Sequence, residues 1–286
     1  MNALASVYRE LVYGGHLLAL GTASIAASSA LILGKAPSWD LLLMGYLFSF
    51  GAYTINRWSD FEEDMISHPT RTSYLAPRRR VLPAIAIACF GTGYVLSSFR
   101  NLFFLLALLL PLALAVGYSI SSDKMGKVLG VSRLKEGFVV KNVAISFSWS
   151  LIPVFVGLYY LQFPMVLFAL CPFIFMRLMI NTVFFDVRDV EADRKYGIKT
   201  LPASLGLAKS WMLMDAIDVA SGLYVVALAL SGLIPSFAGI LAVFTPYSFA
   251  YRYYSRRSSG HRDALRDLAA DGEYIMWGLV VYLGQI

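Results

Sequence analysis

What most constrains this chain is the number and length of its apolar runs. Eight are clear, over 11–33, 39–57, 81–99, 101–120, 138–160, 163–185, 210–231 and 234–251. A ninth, over 272–285, is short unless it begins inside the polar stretch before it. Most approach the roughly 20 residues that a helix needs to cross the hydrocarbon core of a bilayer. A soluble domain of 286 residues has too little interior to hide them, since 58% of the chain is hydrophobic and 15% charged. Nothing marks a linker or a second domain, so residues 1–286 are read as one polytopic helical bundle. The first run lacks a basic leader and a cleavage site, so no cleavable signal peptide is expected. Cys89 and Cys171 lie inside apolar runs and are read as small packed thiols.

The basic residues give the topology. Of 24 Lys and Arg, five fall in or beside each of the loops after runs two, four, six and eight, whereas the intervening loops carry only Lys35 and Arg100. Positive charge collects on the cytoplasmic side, so the even-numbered loops are expected there. Orientation and lipid headgroups account for most of this charge, including Arg78, Arg79 and Arg80, and no nucleic-acid partner is expected.

Carboxylates share those loops, and topology does not explain them. Asn56, Asp60 and Asp64 close the second run at i, i+4 and i+8, which on a helix stacks them along one face about 5–6 Å apart. Asp186, Asp189 and Asp193 close the sixth run, with Asp189 and Asp193 again four apart. Carboxylates that close repel one another unless a cation lies between them. Two such ladders at membrane-helix ends predict a divalent-metal site built from two facing halves. The chemistry that fits is diphosphate binding, because Mg²⁺ takes a few carboxylates plus substrate phosphate oxygens. Lys and Arg of neighbouring loops would balance the remaining phosphate charge. The apolar bundle below would house a lipid tail and keep water from a carbocation.

At this point a resemblance becomes specific. Asn56-x-x-x-Asp60-x-x-x-Asp64 followed by His68-Pro69-Thr70-Arg71 resembles the first motif of the UbiA superfamily of intramembrane prenyltransferases. Asp186-x-x-Asp189-x-x-x-Asp193, with Gly197-Ile198-Lys199-Thr200-Leu201-Pro202 behind it, resembles the second. Tyr118-Ser119, Arg133-Leu134-Lys135 and Lys141-Asn142 resemble the middle cytoplasmic segment. The likeness covers runs two through seven, and its flavour is similar to archaeal homologues related to the vertebrate menaquinone-forming enzyme.

The resemblance implies an all-α, isoprenoid-synthase-like bundle of nine transmembrane helices around an apolar cavity, with cytoplasmic helix–loop caps. It implies an integral protein of the cell membrane that moves a prenyl group from an allylic diphosphate, such as geranylgeranyl diphosphate, to a lipophilic acceptor. That acceptor would be a quinone precursor, a glycerol-phosphate lipid or another isoprenoid, and no obligate protein partner is expected. By the same resemblance Asn56, Asp60 and Asp64 would hold one Mg²⁺, and Asp189 and Asp193 a second, with Asp186 in support. Arg71 and Lys135 would contact the diphosphate, and Tyr118 would face the allylic cation. Asn142 and Asn181 would be polar cavity residues, and Lys199 either reaches phosphate or only flanks the membrane. The sequence departs from the family after the first motif, at Arg71-Thr72-Ser73-Tyr74-Leu75-Ala76-Pro77, and by an insertion at 121–127. These departures bear on the acceptor.

Other conspicuous residues have plainer readings. Trp39, Tyr53, Trp58, Trp149, Tyr159, Tyr160, Trp211 and Tyr251 are expected mostly in the interfacial aromatic belt. His16 is read as a packing or helix–helix residue, and His68 as a solvated loop histidine with phosphate contact as the alternative. Arg177 is expected to pair with an acid or line the cavity. Asp215 and Asp218 receive no role, and 258–267 is read as a structural interfacial segment. The rival function is a cation transporter or channel using the ladders as an ion site. It predicts polar residues along a path through the spans, of which only Arg177 and Asn181 are evident.

Overall fold

The computed structural model describes residues 3–119, 139–196, 199–257 and 263–286, and every regular element in them is helical. In chain order these are α1 (Ala3–Gly14), α2 (His16–Ile32), α3 (Trp39–Ser59), α4 (Phe61–Ser67), α5 (Pro69–Leu75), α6 (Leu82–Ser98), α7 (Leu102–Ala107) and α8 (Leu109–Ser119). After the middle segment come α9 (Val140–Ser150), α10 (Ile152–Tyr160), α11 (Met165–Tyr196), α12 (Leu201–Leu205), α13 (Leu207–Leu230), α14 (Phe244–Arg257) and α15 (Asp263–Gln285). A 3₁₀ stretch, Ser236–Val243, precedes α14.

Among the described residues three helical segments are long and apolar enough to cross a membrane: Val140–Tyr160, Met165–Glu191 and Leu207–Leu230. Two bent pairs, Ser6–Gly14 with His16–Ile32 and Pro69–Arg78 with Leu82–Ser98, raise that number to five. The remaining apolar runs have identifiable reasons for falling short of it. Run 101–120 is divided at Leu108 between α7 and α8, and run 234–251 between the 3₁₀ stretch and α14. The last run does begin inside the polar stretch, so α15 has 23 residues.

The first two helices meet at Gly15, whose φ of 92° lies in the left-handed region that glycine adopts without strain. A Cβ there would lie 2.5 Å from Nη1 of Arg57, and that same Nη1 donates to the Tyr13 carbonyl at 2.7 Å. The main core is formed where α15 packs on α2, α3 on α6, and α9 on α11. Trp149, Phe173, Phe244, Tyr274 and Trp277 are at its centre. A smaller cluster around Met179, Val183, Phe184 and Met214 lies nearer the acidic end of α11.

The aromatic-belt expectation divides. Trp39 and Trp58 are exposed, but Trp149 and Tyr159 are buried, and Tyr251 packs edge-on against Phe184 and Tyr247. His16 is a helix–helix residue, bonded to Tyr46 and stacked on Phe50. Asp40 closes the far end of the bundle: it accepts from Arg100 Nε at 2.7 Å and from the Tyr159 hydroxyl at 3.0 Å.

Arg177, Asp215 and Asp218 belong to one interior network, which the sequence reading did not foresee as a unit. Arg177 donates from Nε (2.9 Å) and Nη2 (2.7 Å) to Glu273 Oε1, and from Nη1 to Asp218. Arg252 reaches Asp218 at 2.7 Å and Asp215 at 3.1 Å, and Arg256 holds Asp215 at 2.7 Å. Three acids thus meet three arginines, with Ser221 and Ser248 filling the gaps. These charges pair with one another, so the transport reading gains nothing from them.

Candidate active site

The first ladder does not lie on one straight helix. Ser59 Oγ donates to the Asn56 carbonyl at 2.8 Å and to Asp60 Oδ1 at 3.1 Å, a local competition that favours helix ends. The helix ends at Ser59, and Asp60 (φ −95°, ψ 11°) joins α3 to α4. The backbone bonds Asp60 N to Asn56 O (2.9 Å) and Asp64 N to Asp60 O (2.8 Å) survive, so the i, i+4 stacking persists across the bend. Beyond it the chain turns at His68, and Pro69 opens α5 at a position where its missing N–H is not needed. Thr72 Oγ1 pins the turn by donating to the Asp64 and His68 carbonyls, both at 2.9 Å. That turn brings Arg71 back onto Asp64, 2.8 Å away.

The second ladder follows from length. At about 1.5 Å per residue, the 32 residues of α11 run about 48 Å, well beyond a hydrocarbon core of about 30 Å. Its last turns therefore project past the apolar layer with Asp186, Asp189 and Asp193 upon them. Asp186 is almost fully buried, with one oxygen held by Lys141 Nζ at 2.7 Å and the other by Asn142 Nδ2 at 2.6 Å. This contact anchors α9 to α11. Asp193 accepts from Thr200 at 2.9 Å. Burial first, then the charges of Asp186 and Asp189, raise its carboxyl to about 6 against the opposing pull of Lys141.

The two ladders face each other across one polar pocket of about 230 Å³. Nε2 of His68 lies 3.2 Å from Asp189 Oδ2, so the loop of the first ladder touches the second. His68 is therefore a half-buried pocket residue and not a solvated one; burial pushes its imidazole below the ordinary range, against the pull of Asp189. Of the residues expected in the site, the six ladder positions, Arg71 and Asn181 line this pocket, and Lys141 joins them. Asn142 is buried behind Asp186, and its Oδ1 is left without a partner among the described residues. Lys199 is exposed and does not line the pocket. Lys135 and the Tyr118 side chain lie outside the described residues.

Sequence reasoning missed two acids. Asp267 and Asp271, on α15, line the same pocket. Together with Asp263 they repeat the i, i+4, i+8 spacing of the first ladder, a signal masked by the alternating charges around them. With Glu63 the pocket walls carry eight carboxylates against Arg57, Arg71, Lys141 and Arg188, a surplus of four negative charges. All the candidate donors are hard oxygens, the set that suits Mg²⁺. Among the described residues no three acidic, His or Cys side chains close around a point. Among the described residues the buried Nε of Arg71 has no hydrogen-bond partner, which leaves it available to an anion.

Below the polar pocket lies a second, apolar cavity of about 210 Å³ between α2, α3, α8, α9 and α10. Its walls include Met44, Phe48, Phe104, Leu108, Trp149 and Val156. Tyr53, Asn56 and Ile145 line both spaces, so charged head and apolar hollow share one wall. An amphiphile fits there with its head among the ladders and its tail in the bundle.

Residues 17–270 match the UbiA prenyltransferase family. A digeranylgeranylglyceryl phosphate synthase of Sulfurisphaera tokodaii is 28% identical over 201 residues, which cover 68% of this chain and 64% of that protein. One of Saccharolobus solfataricus is 27% identical over 248 residues, covering 78% of this chain and 80% of that protein. A UbiA homolog from Archaeoglobus fulgidus, solved with GPP and Mg²⁺, superposes with a TM-score of 0.66 at 16% identity, over 96% of this chain and 99% of that one.

Proposed function

The chain belongs to the UbiA prenyltransferase family and is an intramembrane prenyltransferase; from that premise we propose that it transfers a prenyl group from an allylic diphosphate to a glycerol-phosphate lipid. The observation that carries the reading is the shared wall at Tyr53, Asn56 and Ile145, which joins an acid-rich pocket to an apolar cavity. The glycerol-phosphate arm is favoured over the quinone arm because the curated relatives reported above are digeranylgeranylglyceryl phosphate synthases. The reading includes nine membrane crossings in the cell membrane, with the pocket on the cytoplasmic side where the basic loops gather.

In this reading Asn56, Asp60 and Asp64 hold one Mg²⁺ and Asp189 and Asp193 the other, with Asp186 supporting through Lys141 and Asn142. Bound there, the ions supply positive charge that stabilises the departing diphosphate. Arg71 gives up part of its hold on Asp64 to fork onto phosphate oxygens, and Lys141 adds a point charge. Lys135 serves the phosphates from its loop, Asn181 orients polar substrate atoms, and Tyr118 shields the allylic carbon, while Lys199, outside the pocket, flanks the membrane. The apolar walls exclude water, so that the electron-poor carbon meets the acceptor first.

The test is transfer from labelled geranylgeranyl diphosphate by the purified protein, with a prenylated glycerol phosphate and a hydroxyaromatic acid as rival acceptors. Metal-dependent label in the glycerol lipid is expected, with little in the aromatic acid and none without Mg²⁺. Label in the aromatic acid alone would sink the glycerol-phosphate assignment.

A further inference from the structure

A prenyl transfer to a hydroxyl needs a destination for the hydroxyl proton, and the ladder acids are taken up by cations or, for Asp60 and Asp193, by the metal role proposed for them. Asp64 is held by Arg71, Asp186 by Lys141 and Asn142, and Asp189 by His68 and Arg188. Asp267, one turn earlier on α15, is drawn onto Arg188 at 2.6 Å. Asp271 differs from all of these. It is 8% exposed, lines the polar pocket, and among the described residues forms no ion pair. Its partner is a neutral amide: Asn181 Nδ2 donates to Oδ1 at 3.2 Å. It stands where α15 leaves the charged mouth and enters the core at Tyr274 and Trp277, and the pocket it lines is the one that meets the apolar cavity. A carboxylate that is buried, open to the pocket and outside any ion pair among the described residues suits proton transfer better than metal or phosphate binding.

We propose that Asp271 is the residue that accepts the proton of the acceptor hydroxyl, with Asn181 positioning its carboxylate. The proposal rests on the prenyltransferase reading of the same pocket. In the step, the acceptor oxygen forms a bond to the first carbon of the prenyl chain. The bond from that carbon to diphosphate breaks, and its electron pair leaves with the diphosphate. The hydroxyl proton passes to Asp271 and from there to solvent at the pocket mouth.

The experiment separates this step from ionisation of the diphosphate. Wild type and Asp271→Asn are compared for Mg²⁺-dependent binding of geranylgeranyl diphosphate, for prenyl alcohol released to water, and for transfer to a prenylated glycerol phosphate. Each is also given the acceptor with its nucleophilic hydroxyl replaced by a thiol, which loses its proton without help far more readily. General-base removal costs on the order of 100-fold or more. Asp271→Asn is expected to bind the diphosphate as wild type does and to lose hydroxyl transfer by about that factor. It is also expected to divert prenyl groups to alcohol and to recover transfer with the thiol to within about tenfold of wild type. Wild-type transfer by Asp271→Asn, or a loss that the thiol does not repair, overturns the proposal. Asp271→Glu, which keeps the carboxylate, covers the case in which the amide variant does not fold. It should slow hydroxyl transfer while sparing thiol transfer, and an equal loss with both acceptors counts against a proton-accepting role. If wild type itself transfers to no hydroxyl acceptor, the functional reading fails and not this assignment alone.

Discussion

The molecule holds two dense groups of charge, and they are built on opposite terms. In the interior network Asp215, Asp218 and Glu273 meet Arg177, Arg252 and Arg256 one for one, with Ser221 and Ser248 bonded among them. In the polar pocket eight carboxylates face four cations. Buried ions persist only when compensated. The first group carries its compensation within the chain, so it is a structural element. The second is incomplete without cations from outside, so it is a site. The difference lies in charge balance and not in burial, since Asp186 is as deeply enclosed as Glu273.

The largest effect expected from breaking this contrast is on the balanced side. Arg177→Met leaves Asp218 and Glu273 buried without their shared cation, a loss on the order of 3–5 kcal/mol and a large share of a typical folding free energy. Fluorescence-detected melting in detergent should show a sharp fall in Tm or no folded protein, whatever the Mg²⁺ concentration. A near wild-type melt would mean that the network is not structural.

The pocket should respond in the opposite way. Asp60→Asn and Asp193→Asn each remove one like charge from a crowded wall. Metal-free Tm should hold or rise, while prenyl transfer falls on the order of 100- to 1,000-fold. If either variant melts markedly earlier than wild type without metal, the surplus-charge argument is wrong.

A third, smaller effect sharpens the comparison through ligand linkage. Mg²⁺ at about 100 times its Kd should stabilise wild type by about 2.7 kcal/mol, and Asp60→Asn by clearly less. A conservative change in the balanced network, Arg252→Lys, should leave the Mg²⁺ increment intact. Calorimetry across a metal titration reads all three.

The smallest effect is in pH. The Asp193 carboxyl is raised above its ordinary 3.8 to about 6. A raised acid favours the fold most when protonated, below its unfolded value, and that contribution is lost as pH rises through about 6. Metal-free protein should therefore lose a little stability between about pH 4 and 6. Added Mg²⁺ should restore it increasingly over the same window, and an Mg²⁺ increment that is flat across it would exclude Asp193 from the metal site.

Both ladders were legible in the sequence because their members are three or four residues apart, and helical geometry converts such spacing directly into proximity. Asp267 and Asp271 have the same spacing and were missed because like and unlike charges alternate around them. The network of Arg177 was not legible as a whole. Its partners are 41 and 96 residues away along the chain, and no local period records such pairings. Arg177 could be expected to find an acid, but which acid depended on how α11, α13 and α15 pack. The bend at Asp60 escaped for a different reason: it depends on a single Ser59 hydroxyl choosing the Asn56 carbonyl. His68 was placed in solvent because nothing in a loop sequence tells how far the loop folds back.

One helix connects the two charge groups. On α15, Asp271 reaches the pocket and Glu273 reaches Arg177, two positions apart and so about 200° around the axis. Turning α15 by one residue, about 100°, would withdraw both groups at once. The aim of the one is thus inherited with the integrity of the other, and this helix has little freedom to drift as a lineage explores new acceptors. Diversification of this enzyme should therefore appear in the wall residues Tyr53 and Ile145, which can change shape without unlocking the scaffold.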